Sequence, residues 1–329
     1  MKIAYFDCFS GISGAKVLGA LLDIGVDFGT FRSELEKLPL TDYAMAAKEV
    51  TRGGLSATKI SVKTVDKGLV RTFGNIRQII EESGLDPSVK KESLAVFQSL
   101  AEAKAKINRK NVEAVHFHEV GAIDSVVDIV GTAIGFNLLK VSRVYCSPLP
   151  MGIGMVRTDH GMLPLPSPVT LEILSGVPIY TCDIQAELVT PTGAAIARSF
   201  SHVFGNMPKM TADQIGYGAG RAELNIPNVL RLITGELTSV GETMLVTHIS
   251  AQVEKVDHKI MTKIMNELLA EGATDAWTRL ITSTDGSEQE ELNIVGPVEK
   301  EEILIECVFA RTTANDVWIN RQSRRSRGK

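Results

Sequence analysis

The sequence predicts a mixed α+β / α/β protein of two domains: an N-terminal α/β domain with a helical layer over residues 1–240, and a ferredoxin-like βαββαβ domain over residues 241–329. Three observations carry that expectation. Lys2 to Ile24 passes from period-two alternation through a glycine-containing turn into a helical stripe. Two runs of period 3.6 follow between Thr72 and Lys110, and beyond Gly241 the periodicities read strand, helix, strand, strand, helix, strand. A chain of 329 residues is long enough to build two cores.

Lys2 to Asp7 alternates like a buried strand, CFSGISG makes the turn, and Val17, Leu18, Leu21 and Leu22 give the stripe of a helix over Lys16 to Ile24. Leu55 to Val65 reads as a second strand. Ile76, Ile79 and Ile80, then Leu94, Phe97, Leu100 and Ile107, mark two helices parted by the turn GLDP. After Gly121, the residues Ile123, Val126, Val127, Val130, Ile134 and Leu138 form another stripe, with Asp124 and Asp128 one turn apart near the helix start, where the helix dipole favours carboxylates. Val144 to Pro191 is rich in Pro and Gly and is expected to be mostly loop, interrupted by a helix over Pro168 to Leu174. A further helix is expected from Gly193 with Thr192 as its N-cap. Beyond the boundary near Ser239 to Gly241, the strands are Thr243–Ser250, Asp275–Thr282, Glu291–Val295 and Val317–Asn320, and the helices Val256–Leu269 and Val298–Phe309. Ile260, Ile264, Leu268 and Leu304 are expected to pack on that second sheet.

The balance of 35 basic and 39 acidic residues gives a formal charge of −4, so no global basic field invites nucleic acid or an anionic membrane. Arg321, Arg324, Arg325, Arg327 and Lys329 concentrate positive charge near the end, and with no apolar packing residue after Ile319 this stretch is expected to be a solvated end. The 4 cysteines are scattered without a CxxC pair and read as reduced thiols. There is neither a signal-peptide pattern nor an apolar run of about eighteen residues, and a cytoplasmic location is expected.

The run HFHEVGAIDSVVDI holds the strongest candidate for chemistry. His116 and His118 are two apart, so in an extended segment both rings share a face and can converge on one ion, with the carboxylate of Glu119 beside them. The same pattern also fits an edge strand with two solvated histidines that runs into a helix start. CFSGISG, between a strand and a helix, is a setting in which backbone amides hold an anion: Ser10, Gly11, Ser13 and Gly14 are candidates, with Asp7 at the strand end to bind a cation or orient a substrate. It lacks both P-loop and GxGxxG spacing, and a plain tight turn is the other reading. Thr190, Thr192 and Gly193 make a second candidate anion site at a helix start, or a simple cap. His160, between Asp159 and Gly161, is either a third ligand, a general acid or base, or an ordinary loop histidine.

Taken together, FDCFSGISG, LGAL, VHFHEVGAIDSVVDIVG, SPLPMGIG, HGMLPLPSP, ELVTPTGAA, GYGAG and IPNVLR resemble the LarC family, in family order over most of residues 1 to 235. The resemblance implies a cyclometallase that uses CTP with magnesium or manganese to insert nickel into a pyridinium bisthiocarboxylate mononucleotide, forming nickel–sulfur bonds and a nickel–carbon bond. The implied partner is thus a small nucleotide-like substrate. Nickel suits imidazole, and the substrate phosphate suits an amide-lined turn. His116, His118 and Glu119 then handle nickel.

The sequence departs from the family pattern at several points. Ala15 and Lys16 stand where the family has Asp and Met, Lys104 where it has an acid, and Asn108 where it has His; VDKGLVRTF replaces a histidine-rich stretch. In the second domain, HISA leaves Ser250 and Ala251 in place of two carboxylates, STDGSE replaces a basic run, and Asp316 and Trp318 replace Gly and Arg. These losses imply weak CTP binding, because each charge-assisted hydrogen bond contributes about 1.5 to 3 kcal/mol. Two functions follow: a working nickel-insertion enzyme, or a member that binds nickel or the cofactor precursor without CTP-dependent catalysis.

Overall fold

The chain divides into two units, Met1–Thr238 and Ser239–Lys329. The computed structural model describes residues 1–40, 43–64, 71–117, 123–158, 161–238, 243–254, 256–282 and 288–325. In chain order the first unit contains β1 (Lys2–Asp7), α1 (Gly14–Asp23), α2 (Phe28–Leu35), β2 (Tyr43–Arg52), β3 (Leu55–Thr64), β4 (Arg71–Thr72), α3 (Phe73–Glu82), α4 (Pro87–Asn108) and β5 (His116–Phe117). It continues with α5 (Ile123–Leu139), β6 (Arg143–Cys146), β7 (Leu149–Met151), β8 (Met155–Thr158), β9 (Gly161–Pro164) and α6 (Pro168–Ile173). β10 (Ile179–Thr181), α7 (Pro191–Phe200), β11 (Ser201–Phe204), β12 (Met210–Ala219) and β13 (Val229–Leu237) complete it.

The main sheet has seven strands in the order β11-β6-β1-β13-β12-β3-β2. β1 lies near its middle, antiparallel to β13 and parallel to β6, which is why Ile3, Ala4 and Phe6 are wholly buried. α1 lies against β12, and the glycines of GYGAG permit the contact: a methyl group built on Gly218 would sit 1.7 Å from the carbonyl oxygen of Lys16. The helical layer is α3, α4, α5 and α7. α5 carries an almost fully apolar surface, buried from Ile123 to Phe136, as expected of a helix covered on most sides.

The stretch expected to be loop is more structured than its Pro and Gly content suggests. β6 is an interior strand of the main sheet, β8 and β9 form a hairpin, and β7 pairs with β10. These strands span only three or four residues each, too short for periodicity to show. α2 and β2 are further elements that the periodicity of the sequence does not mark.

The second unit contains β14 (Thr243–Val253), α8 (His258–Ala270), β15 (Asp275–Thr282), β16 (Glu288–Pro297), α9 (Glu301–Arg311) and β17 (Trp318–Arg325). Its sheet runs β15-β16-β14-β17 with every neighbour antiparallel. Ile264, Leu268 and Leu304 are buried as expected, but Ile260 is 53% exposed and Met261 takes its place in the core. The inward face of α8 runs through Met261, Ile264 and Leu268, at i, i+3 and i+7, and Ile260 falls one position off it.

Two further expectations are corrected here. The basic stretch is not a solvated end as far as Arg325: β17 pairs along β14, and the Arg321 guanidinium donates to Glu301 at 2.7 and 3.1 Å, holding that carboxyl down at about 2. A strand can be held by main-chain pairing without apolar side chains of its own. Ser250 and Ala251 are also not at a strand end, since β14 continues to Val253. Ala251 is fully buried in the second core. Among the described residues no helix is long and apolar enough to cross a membrane, and all four cysteines are free thiols, with the Cys8 and Cys146 sulfurs 3.7 Å apart.

Candidate functional site

The two glycine-containing turns that the sequence marks as anion sites lie against one another. Ile12 bridges to Val189, the Thr190 N–H donates to the Ile12 carbonyl at 3.2 Å, and a methyl group on Gly193 would meet that same carbonyl oxygen at 2.2 Å. Gly11, with φ +85°, packs likewise on the carbonyl of Leu188. Backbone lies on backbone at this crossing, and side chains have no room. As a result the N-termini of α1 and α7 open side by side.

Each of those helix starts is capped. The Ser13 side chain accepts from the Lys16 N–H, and Thr190 Oγ1 accepts from the Gly193 N–H at 3.1 Å. The N-cap of α7 is therefore Thr190 and not Thr192, because Pro191 fills the first helical position, where a missing N–H costs nothing. The caps leave the earliest N–H groups of α1, at Gly14 and Ala15, and that of Thr192 without helical partners. Gly14, Ala15 and Thr192 line a cavity of about 920 Å³, together with Ser13 and Thr190.

The cavity wall is charged. Asp124 and Asp128 enter it from the first turns of α5, Arg157 from β8, Lys104 from α4, and Arg221 from the segment after GYGAG. Asp124 accepts the Ser125 N–H at 2.8 Å and faces the Arg221 guanidinium at 3.5 Å. Asp128 keeps an accessible edge on the cavity but is otherwise enclosed. Loss of hydration, reinforced by the nearby Asp124 charge and opposed by Arg221, pushes its carboxyl up to about 8. Lys16 is buried with its Nζ donating to the Ser10 carbonyl at 2.8 Å, and burial lowers its ammonium to about 8.

Of the residues singled out in the sequence, Ser13, Gly14, Thr190 and Thr192 come together on this wall. Gly11 and Gly193 form the crossing beneath it. Ser10 is fully engaged elsewhere, since its hydroxyl donates to the Val229 carbonyl and accepts the Val229 N–H. Asp7 is held by Arg231, whose Nε donates to it at 2.9 Å. The His116 side chain and the whole of His118, Glu119 and His160 lie outside the described residues, as do residues 283–287 of STDGSE. Among the described residues no three His, Cys, Asp or Glu side chains gather into a metal site. Arg157, Arg221 and Asn228 were not candidates from the sequence, and only the position of Arg221 directly after a glycine-rich strand end hints at its role. Four of the departures from the family pattern, at Ala15, Lys16, Lys104 and Asn108, all line the same cavity.

Residues 4–327 match the nickel insertion protein family. The chain belongs to that family. It is 40% identical over 320 residues to the pyridinium-3,5-bisthiocarboxylic acid mononucleotide nickel insertion protein of Desulfitobacterium hafniense, covering 95% of this chain and 79% of that one. Its identity to the protein of the same description from Acetivibrio thermocellus is 38% over 327 residues, covering 95% and 80%. The putative nickel insertion protein of Dictyoglomus thermophilum is 38% identical over 315 residues, covering 95% and 81%. A solved structure, the apo C-terminal domain of a cyclometallase involved in the synthesis of the NPN cofactor of lactate racemase, aligns with a TM-score of 0.24 at 23% identity. It covers 25% of this chain and 58% of its own, a likeness too slight to bear on the fold.

Proposed function

We propose that this nickel insertion family member inserts nickel into pyridinium-3,5-bisthiocarboxylic acid mononucleotide, and that the cavity at the starts of α1 and α7 receives the mononucleotide. The observation that carries this assignment is the crossing of the two turns, which opens two helix N-termini onto one cavity beside Arg157 and Arg221. About 920 Å³ is within the range for a small-molecule site. In this reading Gly14, Ala15 and Thr192 offer N–H groups to the phosphate, Ser13 and Thr190 fix the helix starts, and Gly11 and Gly193 allow the crossing beneath them, while Asp7 and Ser10 serve the framework through Arg231 and Val229. Calorimetry with the nickel-free mononucleotide tests it: Arg221→Ala should weaken binding roughly tenfold, the loss of one charge-assisted hydrogen bond. Unchanged affinity would remove Arg221 from the site.

His116, His118 and Glu119, with His160 as a further ligand, are proposed to hold the incoming nickel. In support, the run leads into α5 only a few residues after Glu119, and the first turn of α5 lines the cavity. The double change His116→Ala/His118→Ala should abolish most nickel binding at pH 7.5, where neutral imidazole dominates. The second unit is proposed to be ferredoxin-like, from its βαββαβ order and fully antiparallel sheet. It is also the proposed place for CTP with magnesium or manganese, with the weakness that its replaced charges imply.

A further inference from the structure

The Asp128 carboxyl lies directly on the first residue of α1. A methyl group built on Gly14 would come within 2.4 Å of Asp128 Oδ2, so only glycine fits there, and the carboxyl shares the helix start that opens into the cavity. Among the described residues nothing donates a hydrogen bond to either of its oxygens. Asp124, one turn earlier, is satisfied by the Ser125 N–H and Arg221. An anion bound at the start of α1 would therefore meet two carboxyls, one neutralised by a cation and one with no cation of its own. A second negative charge in that position is repelled, whereas a neutral carboxyl offers an O–H donor.

We infer that Asp128 binds the phosphate monoester of the mononucleotide in its protonated form, donating its O–H to a phosphate oxygen, so that ligand binding is coupled to uptake of a proton. This deepens the proposed assignment of the cavity and rests on it. The elevated carboxyl is consistent with a proton already held at neutral pH, before any anion arrives. The charged groups that line the cavity with Asp128 are Asp124 of α5, Lys16 of α1, Lys104 of α4, Arg157 of β8, Glu187 ahead of α7, and Arg221. Burial and the Asp124 charge favour the proton, and Arg221 opposes it. A bound dianion adds further negative charge close by and draws the proton on more firmly.

The test is calorimetry on the full chain with the nickel-free mononucleotide between pH 7.5 and 9, in two buffers of different ionisation enthalpy. In that window the phosphate stays dianionic, its second ionisation lying near pH 6, so proton uptake reports on the protein. If only the protonated form binds, apparent affinity should fall about tenfold for each pH unit well above the carboxyl midpoint, with close to one proton taken up. Asp128→Asn keeps the shape and an N–H donor, and should take up close to one proton fewer than the wild-type chain, with a correspondingly shallower decline, whatever the buried Lys16 ammonium contributes to both. Asp128→Ala should bind more weakly at pH 7.5. A wild-type chain without proton uptake, or an Asp128→Asn chain that takes up as many protons as the wild type, overturns the inference and leaves the mononucleotide site standing. A wild-type chain that does not bind the mononucleotide overturns both.

Discussion

Thr190 caps α7 with a hydroxyl that accepts the Gly193 N–H, and it also ties that helix to Ile12. Thr190→Ala should cost about 1 kcal/mol in urea unfolding, the usual value of such a cap, and should weaken mononucleotide binding as the α7 start loosens. Asp128 has an opposite and pH-dependent effect. Its folded carboxyl titrates near 8, above the ordinary value of 3.8, so the native chain holds a proton that the unfolded chain has released. Stability should therefore decline as pH rises from about 4 toward 8 and level off above, and unfolding of Asp128→Asn across that range should lack this component. An identical pH dependence in both chains would show that the carboxyl is hydrated. At this scale the sequence exposed what is local: Ser13 and Thr190 stand out as residues of helix starts, although the cap of α7 is expected at Thr192, two residues beyond the Thr190 that fills it. Arg221 and Asn228 did not stand out, since nothing local says that the segment after β12 returns to the starts of α1 and α5.

α8 shows how phase decides burial. Leu268 is wholly buried and Ile260 is half exposed on the same helix. Leu268→Ala should destabilise the second unit by roughly 2 to 5 kcal/mol, and Ile260→Ala by no more than about 0.5 kcal/mol. Comparable costs for the two would place the inward face elsewhere. Long periodic helices such as α4 and α5 were legible because many apolar positions vote together. β2 was not: YAMAAKEVTR has no sustained apolar alternation and, at the sheet edge, buries no residue fully. α2 has only Phe31 and Leu35 buried in eight residues, too few to fix a period. β17 is the extreme case, an arginine-rich segment with the look of a tail, whose place is set by the backbone of β14 and by Glu301.

Across the whole molecule, each unit keeps a core of its own, while the charge pattern differs from what the family resemblance implies for a nucleotide site. Calorimetry with CTP and manganese or magnesium should show a dissociation constant of roughly millimolar or weaker, and micromolar binding would reveal a nucleotide site built from other groups. Restoring acids at both Ser250 and Ala251 should not rescue it: successive strand residues point to opposite faces, and Ala251 lies in the core. The order of elements in the second unit was legible in the sequence because it survives without knowledge of contacts. The pairing of β1 was beyond it, since Lys2 meets Glu236 and Ile3 meets Arg143. That pairing has a consequence for how the protein is made. At about 5–20 residues per second, β1 leaves the ribosome on the order of ten seconds or more ahead of β13, its neighbour from the far end of the unit. Until then Phe6 and its apolar neighbours lack half their cover, and newly made chains should depend on chaperones more than the finished protein's stability suggests.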